Sequence, residues 1–136
     1  MPISNYTTKI DSMKTVGEIQ KMLMEHDATK IMVESANKIP VGVTFQIGPA
    51  TYRLPANWQG VLKVLIKDPS VPKSLRTDEQ ALRVTWRILR DWVEAQVAII
   101  EAEAASVDQV FLPYAILKNG NTVYEEFQNN PKMLGQ

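Results

Sequence analysis

One helical pattern dominates the sequence and sets the length scale of any fold that the chain can adopt. Apolar residues recur at helical spacing over about 27 residues, from Asp78 to Ala104. Thr77 precedes the pattern as an expected N-cap, and Gln80 stands where its side chain can complete a capping box. At ~1.5 Å per residue this helix is ~40 Å long, which is long for a domain with a radius of gyration of ~14 Å. The sequence therefore predicts a long helix at 77–105 as the spine of the fold.

The composition predicts one hydrophobic core. Of 136 residues, 45% are hydrophobic and 22% charged, and 15 basic residues balance 15 acidic ones. That balance argues against a protein that coats nucleic acid or a membrane surface by bulk charge. The chain has no cysteine, no recognisable secretory leader and no apolar stretch of the ~20 residues that span a bilayer. We therefore expect a single domain, 1–136, in a reducing cytoplasm, without membrane association.

Residues 14–68 have the pattern of a helix, three strands and a second helix. Thr15 and Glu18 have the spacing of a capping box at the start of an amphipathic helix. Alternating apolar residues then predict three strands in an antiparallel meander. The strands are Thr29 to Glu34, Val41 to Ile47 and Ala50 to Leu54. Asn57 is the expected N-cap of the second helix, which should end near Asp68 because a residue before proline leaves the helical region.

The connection to the long helix, 69–76, is rich in proline and is expected to act as a hinge. Together these elements indicate an α+β fold: a helix, a three-stranded antiparallel meander, a helix, the long helix and a short helical or hairpin C-terminal segment. We expect the helices to cover one face of the sheet, because an amphipathic helix and a half-buried sheet must bury their apolar faces against each other.

The C-terminal segment, 106–128, leaves two predictions open. It begins with a capping box at Ser106. Its second part is read, with a slight preference, as a hairpin that turns at Asn119-Gly120. The alternative is a loop followed by a short helix, because Thr122 begins a further capping box. Residues 129–136 are expected to form a frayed tail.

Charge is distributed unevenly along the second half of the chain. From Lys63 to Arg90 there are seven basic and three acidic residues, whereas Asp91 to Glu126 has seven acidic residues and one basic. Within the basic part, Arg83, Arg87 and Arg90 follow one side of the long helix, an arrangement that we call the arginine stripe.

The arginine stripe has two interpretations. In the first, it is a solvated face with i,i+4 ion pairs between Arg87 and Asp91 and between Arg90 and Glu94, each worth ~0.2–0.5 kcal/mol. In the second, it binds phosphates, since arginine suits bidentate phosphate contacts. Trp86 either stacks on an unpaired base or fills the edge of the core. The candidate nucleic-acid-binding residues are Arg83, Arg87, Arg90, Lys63, Lys67, Arg53 and Trp86.

Enzyme chemistry has weaker support in the sequence. His26 is the only histidine, and the local sequence offers it no nucleophile or metal-binding partner. Glu94 and Glu101 share a helix face, but a metal site in a helical bundle needs matching ligands from other helices. No glycine-rich phosphate loop or nucleophile elbow is present. We therefore expect a binding protein with no catalytic residue, metal site or cofactor.

Several segments resemble a family of small proteins of unassigned activity encoded by tailed bacteriophages and prophages. The likeness spans most of the chain, up to Leu112-Pro113-Tyr114. The similar segments are Tyr6-Thr7-Thr8-Lys9, Thr15-Val16-Gly17-Glu18-Ile19-Gln20, Thr29-Lys30-Ile31-Met32, Tyr52-Arg53-Leu54-Pro55 and Trp86-Arg87-Ile88-Leu89-Arg90-Asp91-Trp92-Val93-Glu94-Ala95-Gln96. The resemblance implies a phage setting in a bacterial host, and it implies no functional residue.

The preferred functional prediction is nucleic-acid binding in support of phage DNA or RNA metabolism. The alternative is a protein-binding module that inhibits a host or defence protein through the acidic end or an exposed apolar patch. A third interpretation is self-association through the long helix, which has apolar residues outside its main apolar face at Val84, Val97 and Ala98.

Overall fold

The α+β architecture is confirmed by the computed structural model, which describes residues 2–135. The helices are α1 (Ser12–Glu25), α2 (Trp58–Lys67), α3 (Asp78–Glu101), α4 (Val107–Phe111) and α5 (Val123–Asn129). The strands are β1 (Ala28–Ala36), β2 (Ile39–Ile47) and β3 (Ala50–Pro55), and short 3₁₀ turns occupy Lys73–Leu75, Leu112–Tyr114 and Pro131–Leu134.

The three strands form the predicted antiparallel meander in the order β1-β2-β3. Val43 in the central strand lies opposite Val33 on one side and Leu54 on the other. Phe45 lies opposite Tyr52 two positions along, so these side chains share the inner face of the sheet. The register of β1 against β2 is irregular at both ends of β1, where bulges interrupt the pairing.

Helices α1 and α3 cover the inner face of this sheet and enclose the main core. An aromatic cluster fills its centre: the rings of Phe45, Tyr52 and Phe111 lie 5.3 to 5.6 Å apart. Trp92 of α3 then contacts both Phe111 and Tyr114 edge to face. The C-terminal segment is thereby joined to the same core as the sheet and the long helix.

The long helix has 24 residues and is shorter than predicted, because Glu103 adopts a left-handed conformation with φ of 56° just after its end. Thr77 caps it as predicted and accepts a hydrogen bond from the Gln80 backbone at 3.1 Å. The prediction that the Gln80 side chain completes a capping box is wrong. The Gln80 side chain instead donates to the carbonyls of Tyr6 and Thr8, at 2.9 Å each, and holds the N-terminal segment against α3.

Helix α1 begins three residues before the predicted capping box. Thr15 is buried inside the helix, so it does not act as an N-cap, and Glu18 is free to contact another element. The prediction for α2 is confirmed: the Asn57 side chain accepts from the Gly60 backbone at 3.2 Å, and the helix ends at Lys67, before Asp68.

The 69–76 connection, expected as a hinge, is packed onto the helices. Val71 is fully buried and clusters with Leu65 of α2 and Ala81 of α3. Arg76 also donates to the Asp68 carbonyl at 3.0 Å. These contacts fix the path of the chain from α2 to α3.

The C-terminal segment follows the second of the two predictions. The predicted turn at Asn119-Gly120 does form: Leu117 donates to the Asn121 carbonyl at 2.7 Å, Val123 donates to the Ala115 carbonyl at 2.9 Å, and Ile116 forms an isolated bridge with Thr122. The pairing of the two arms ends there. The hairpin prediction is therefore wrong for the residues after Thr122, which form α5. The complete capping box of Thr122 and Glu125 explains the helix, because both side chains satisfy otherwise unpaired backbone amides.

Val84 and Val97 of the long helix belong to the interior of the chain, where both are buried. They therefore offer no surface for self-association, whereas Ala98, the third residue of that prediction, is exposed. Self-association through the long helix stays a prediction. Between residues 2 and 135, every helix is either too short or too polar to cross a membrane.

Candidate functional site

The arginine stripe lies against α1. Arg87 Nη1 donates to Glu18 Oε2 at 2.7 Å and to Thr15 Oγ1 at 3.3 Å. Arg90 Nε donates to the other carboxylate oxygen, Glu18 Oε1, at 3.3 Å. One carboxylate of α1 thus binds two guanidinium groups of α3. We call this contact the α1–α3 seam.

The two predicted i,i+4 ion pairs have different outcomes. The pair between Arg90 and Glu94 is confirmed, with Nη2 and Oε2 at 3.0 Å. The prediction of a pair between Arg87 and Asp91 is wrong. Asp91 instead accepts from Arg90 Nη1 at 3.3 Å and from Asn5 Nδ2 at 3.1 Å. The interhelical contact at the seam has displaced the local pair.

Each arginine of the stripe is already neutralised by a carboxylate. Arg83 Nη1 donates to Glu79 Oε1 at 2.7 Å, and its Nε donates to Gln80 Oε1 at 3.1 Å. The side chains of Arg87, Arg90 and Arg83 are only 14%, 23% and 25% exposed. A phosphate that approached the stripe would have to displace these carboxylates.

Trp86 is not a stacking platform for a base, and that candidate assignment is wrong. Its side chain is fully buried in the main core. Its indole Nε1 donates to the Pro40 carbonyl at 3.1 Å, a bond that satisfies the polar atom inside the core. Trp86 therefore links α3 to the start of β2.

The remaining basic candidates lie on other elements, α2 and β3. Lys63 and Lys67 are exposed on α2, and within residues 2–135 neither has a carboxylate within 4.0 Å. Arg53 is on β3, where it lies 3.7 Å from Glu34 and 3.6 Å from Glu125. Within residues 2–135, none of these three residues shares a carboxylate partner with the arginine stripe.

His26 lies at the C-terminal end of α1 and links it to the end of α3. Its Nδ1 is 2.7 Å from the Met22 carbonyl, and its Nε2 contacts the Glu101 carboxylate. The hydrogen bond to the Met22 carbonyl and then that to Glu101 raise the pKa of His26 above its ordinary value. His26 therefore adds a second charged contact between α1 and α3. The local sequence gave no sign of it, because Glu101 is 75 residues away.

The C-terminal segment has an apolar groove on its surface, which we call the C-terminal groove. Its walls come from the 3₁₀ turn after α4, from α5 and from the last 3₁₀ turn. The lining residues are Leu112, Pro113, Val123, Tyr124, Phe127, Met133 and Leu134, and the groove encloses about 210 Å³. Its two aromatic rings, Tyr124 and Phe127, lie 6.3 Å apart in a tilted arrangement.

Hydrogen bonds lower the pKa values of three carboxylates of the same segment. The backbone amide of Thr122 lowers the pKa of Glu125 through a hydrogen bond. Hydrogen bonds from Asn121 and Asn119 lower the pKa of Glu126. The hydrogen bond from the Ser106 hydroxyl is likewise the largest cause of the lowered pKa of Asp108. Leu112, Pro113, Val123 and Tyr124 of the groove lie in the acidic stretch from Asp91 to Glu126, and Phe127, Met133 and Leu134 follow it.

Comparisons of the chain with protein-family models, with curated proteins and with solved structures give no match. The resemblance to phage-encoded proteins stays a prediction.

Sequence reasoning missed the C-terminal groove, although a signal for it was present. Tyr124 and Phe127 are three residues apart in a segment that begins with a capping box, and this spacing puts two aromatic rings on one helix face. Met133 and Leu134 follow in residues that were expected only to fray. Apolar residues in a polar tail were the useful signal.

Proposed function

We propose that this chain is a non-enzymatic protein-binding module that docks a basic amphipathic helix of a partner protein in the C-terminal groove. The observation that carries the proposal is the grouping of exposed apolar side chains at one place. Leu112, Tyr124, Met133 and Leu134 are 51%, 51%, 50% and 68% exposed, and all four line this groove.

Burial of these side chains supplies the expected driving force. Complete burial of one large apolar side chain contributes ~1.5–3 kcal/mol. Contiguous exposed apolar surface on a small domain is typical of a protein-binding site. A groove between short helices also suits a partner helix, which inserts side chains spaced three and four residues apart.

Charge complementarity favours a basic partner. From Ser106 to Gly135 the acidic residues are Asp108, Glu125 and Glu126, and the basic ones are Lys118 and Lys132. Glu125 lies 3.6 Å from Arg53, so Asp108 and Glu126 are the carboxylates without a basic partner within 4.0 Å among residues 2–135. The partner helix should therefore present leucine-like side chains on one face and lysine or arginine beside them. The resemblance to phage-encoded proteins makes a cytoplasmic host protein the expected source of such a helix.

Nucleic-acid binding, the preferred prediction from the sequence, has less support. Its central arginines are held by Glu18, Glu79 and Glu94, and its aromatic candidate, Trp86, is buried. We retain it as an alternative outcome of the test below.

The test uses two fluorescent helical peptides with identical leucine spacing, one with lysine and one with glutamate at its polar positions. Fluorescence anisotropy should show binding of the lysine peptide and at least about tenfold weaker binding of the glutamate peptide, a difference of ~1.4 kcal/mol. Leu112→Asp and Tyr124→Asp should abolish the binding. Met13→Asp is the matched control, because Met13 is 54% exposed on α1.

Equal binding of both peptides, or equal loss in the Met13→Asp variant, would show general stickiness and overturn the proposal. Labelled single-stranded DNA and RNA are measured alongside at low and high salt. Salt-sensitive binding that disappears in Lys63→Glu/Lys67→Glu would favour the nucleic-acid alternative. These lysines are cleaner probes than Arg87 and Arg90, whose removal also breaks the α1–α3 seam.

A further inference from the structure

The two edges of the sheet differ in whether another segment of the chain pairs with them. At the β3 edge, Ile116 donates to the Thr51 carbonyl at 2.8 Å and Ala115 forms a bridge with Tyr52, so the C-terminal segment covers that edge. Within the described chain, β1 pairs with β2 alone. The outer edge of β1 therefore offers backbone amides and carbonyls to another strand.

The sequence of β1 has the same chemistry when it is read from either end. Met32 is its middle residue. The residues at equal distances on either side of Met32 match as Ile31 with Val33, Lys30 with Glu34, Thr29 with Ser35, and Ala28 with Ala36. The first pair is β-branched, the second has opposite charges, the third consists of hydroxyl residues and the last is identical.

This symmetry is what an antiparallel pair of identical strands requires. When two copies of β1 run antiparallel about a two-fold axis at Met32, Lys30 of each copy lies opposite Glu34 of the other. Ile31 likewise lies opposite Val33. Opposite charges and β-branched residues are favourable cross-strand pairs. Because the contact is isologous, each of these pairs occurs twice.

We propose that two copies of this chain associate edge to edge through β1 and thereby join their three-stranded sheets into one continuous sheet. The occupant of the free edge is a second copy, since the charge pattern of β1 complements itself. This interface goes beyond the proposed function, because it uses a surface separate from the C-terminal groove.

The bulges limit the pairing to the centre of the strand. Register irregularities occur between Ala28 and Lys30 and between Glu34 and Ser35. They leave five regular residues, Lys30 to Glu34, which are centred on Met32. The regular segment and the chemical symmetry therefore share one midpoint.

The two charged residues of this contact differ in the single chain: among the described residues Lys30 has no carboxylate partner, whereas Glu34 already contacts β2 and β3 and has to share its carboxylate with Lys30 of the second copy. Glu34 Oε1 accepts from the Thr44 hydroxyl at 2.6 Å and lies 3.7 Å from Arg53 Nε. Lys30 is exposed, and within residues 2–135 it has no carboxylate within 4.0 Å. Met32 between them is 59% exposed. Pairing gives Lys30 a partner and covers Met32.

A charge-swap cycle on the full chain, followed by sedimentation equilibrium over a concentration series, tests the interface. Lys30→Glu and Glu34→Lys should each weaken dimerisation about tenfold, because two attractive pairs become two repulsive ones. The double variant should restore dimerisation, since Glu at 30 then faces Lys at 34. Lys14→Glu on α1 is the control and should leave the dimer unchanged.

Cysteine cross-linking tests the position of the two-fold axis. The chain has no cysteine, so Met32→Cys introduces a single thiol. Opposed residues of antiparallel strands have Cα atoms ~4.5–5.5 Å apart, within the range that a disulfide spans. Mild oxidation should yield a covalent dimer of Met32→Cys and little of Met13→Cys, a variant of similar exposure.

A chain that stays monomeric at every concentration would overturn the proposal. So would a dimer that neither charge reversal weakens, or cross-linking that is as fast at residue 13 as at residue 32. Groove variants such as Tyr124→Asp should keep the dimer, and the β1 variants should keep peptide binding. Failure of one proposal is therefore distinguishable from failure of the other.

Discussion

The α1–α3 seam and the C-terminal groove use their side chains in opposite ways. At the seam, charged groups are largely enclosed: Arg87 is 14% exposed and binds a carboxylate from a different helix. At the groove, apolar groups are open to solvent, and Leu134 is 68% exposed. The charged surface thus stabilises the fold, and the apolar surface is the one left available for a partner.

Residue type alone does not separate the residues that stabilise the fold from those available for binding. What decides is whether a complementary group lies within reach in the folded chain. Glu18 of α1 reaches Arg87 and Arg90, which are about seventy residues away in sequence. The groove residues have no such cover among residues 2–135.

Replacement of Trp86 by alanine should have the largest effect on stability. It removes a fully buried side chain from the core together with its hydrogen bond to Pro40. We expect a loss of ~3–5 kcal/mol in the free energy of unfolding, measured with urea. The matched change Tyr124→Ala at the groove should cost within ~0.5 kcal/mol. Similar losses for the two aromatic residues would mean that the groove contributes to folding as much as the core does.

Loss of the shared carboxylate should come next. Glu18→Gln keeps the shape of the side chain but leaves Arg87 and Arg90 without their interhelical charge partner. We expect a loss of ~1–2 kcal/mol, moderated by the solvent that reaches Glu18. Glu79→Gln is the control, because Glu79 is 79% exposed and pairs with Arg83 within one helix. The control should cost less than ~0.5 kcal/mol, and equal losses would mean that the seam is only a solvated ion-pair network.

Much of the fold was predictable because it depends on local rules. The alternation in Val41 to Ile47 predicted β2, and the caps at Thr77 and Asn57 predicted the starts of α3 and α2. These signals arise from neighbours in sequence, so one chain is enough to read them. The capping box at Thr122 was also visible, but the hairpin was preferred to it.

The parts that could not be predicted depend on tertiary contacts. Glu18 and Gln80 have the spacing of capping residues, yet each serves a distant segment. Trp86 lies beside the apolar stripe of its helix, and its burial follows from the position of β2, which helix periodicity does not contain. The candidate site therefore moved from the arginine stripe to the C-terminal groove.

A smaller effect is expected from the cap that positions the groove. Thr122→Ala removes a side-chain acceptor from the first turn of α5, at a cost of ~1 kcal/mol. The loss should be local: amide hydrogen exchange should accelerate in Val123–Asn129 and stay unchanged in the α1–α3 seam. Binding of the lysine peptide should weaken in parallel. Uniform acceleration across the chain would show that the two regions unfold as one unit.

The smallest effect is a pH dependence of the stability at His26, which joins the end of α1 to the end of α3. The hydrogen bond to the Met22 carbonyl and the contact with Glu101 raise the pKa of His26 above 6.5, with a weaker contribution from the charge of Glu25. A raised pKa in the folded state stabilises the fold below the unfolded pKa, and this stability is lost as pH rises through the folded value. His26→Gln should therefore be less stable than the wild type at about pH 6 and nearly equal to it at about pH 9.

Urea unfolding of the two proteins at both pH values measures this difference, which should stay below ~1 kcal/mol because Glu101 is largely exposed. Glu101→Gln should remove most of the same pH dependence, since it keeps the shape but loses the charge. Glu25→Gln is the control and should remove only a small part of it. A wild-type advantage that grows with pH would contradict the sign of the pKa shift and place a neutral imidazole at this contact.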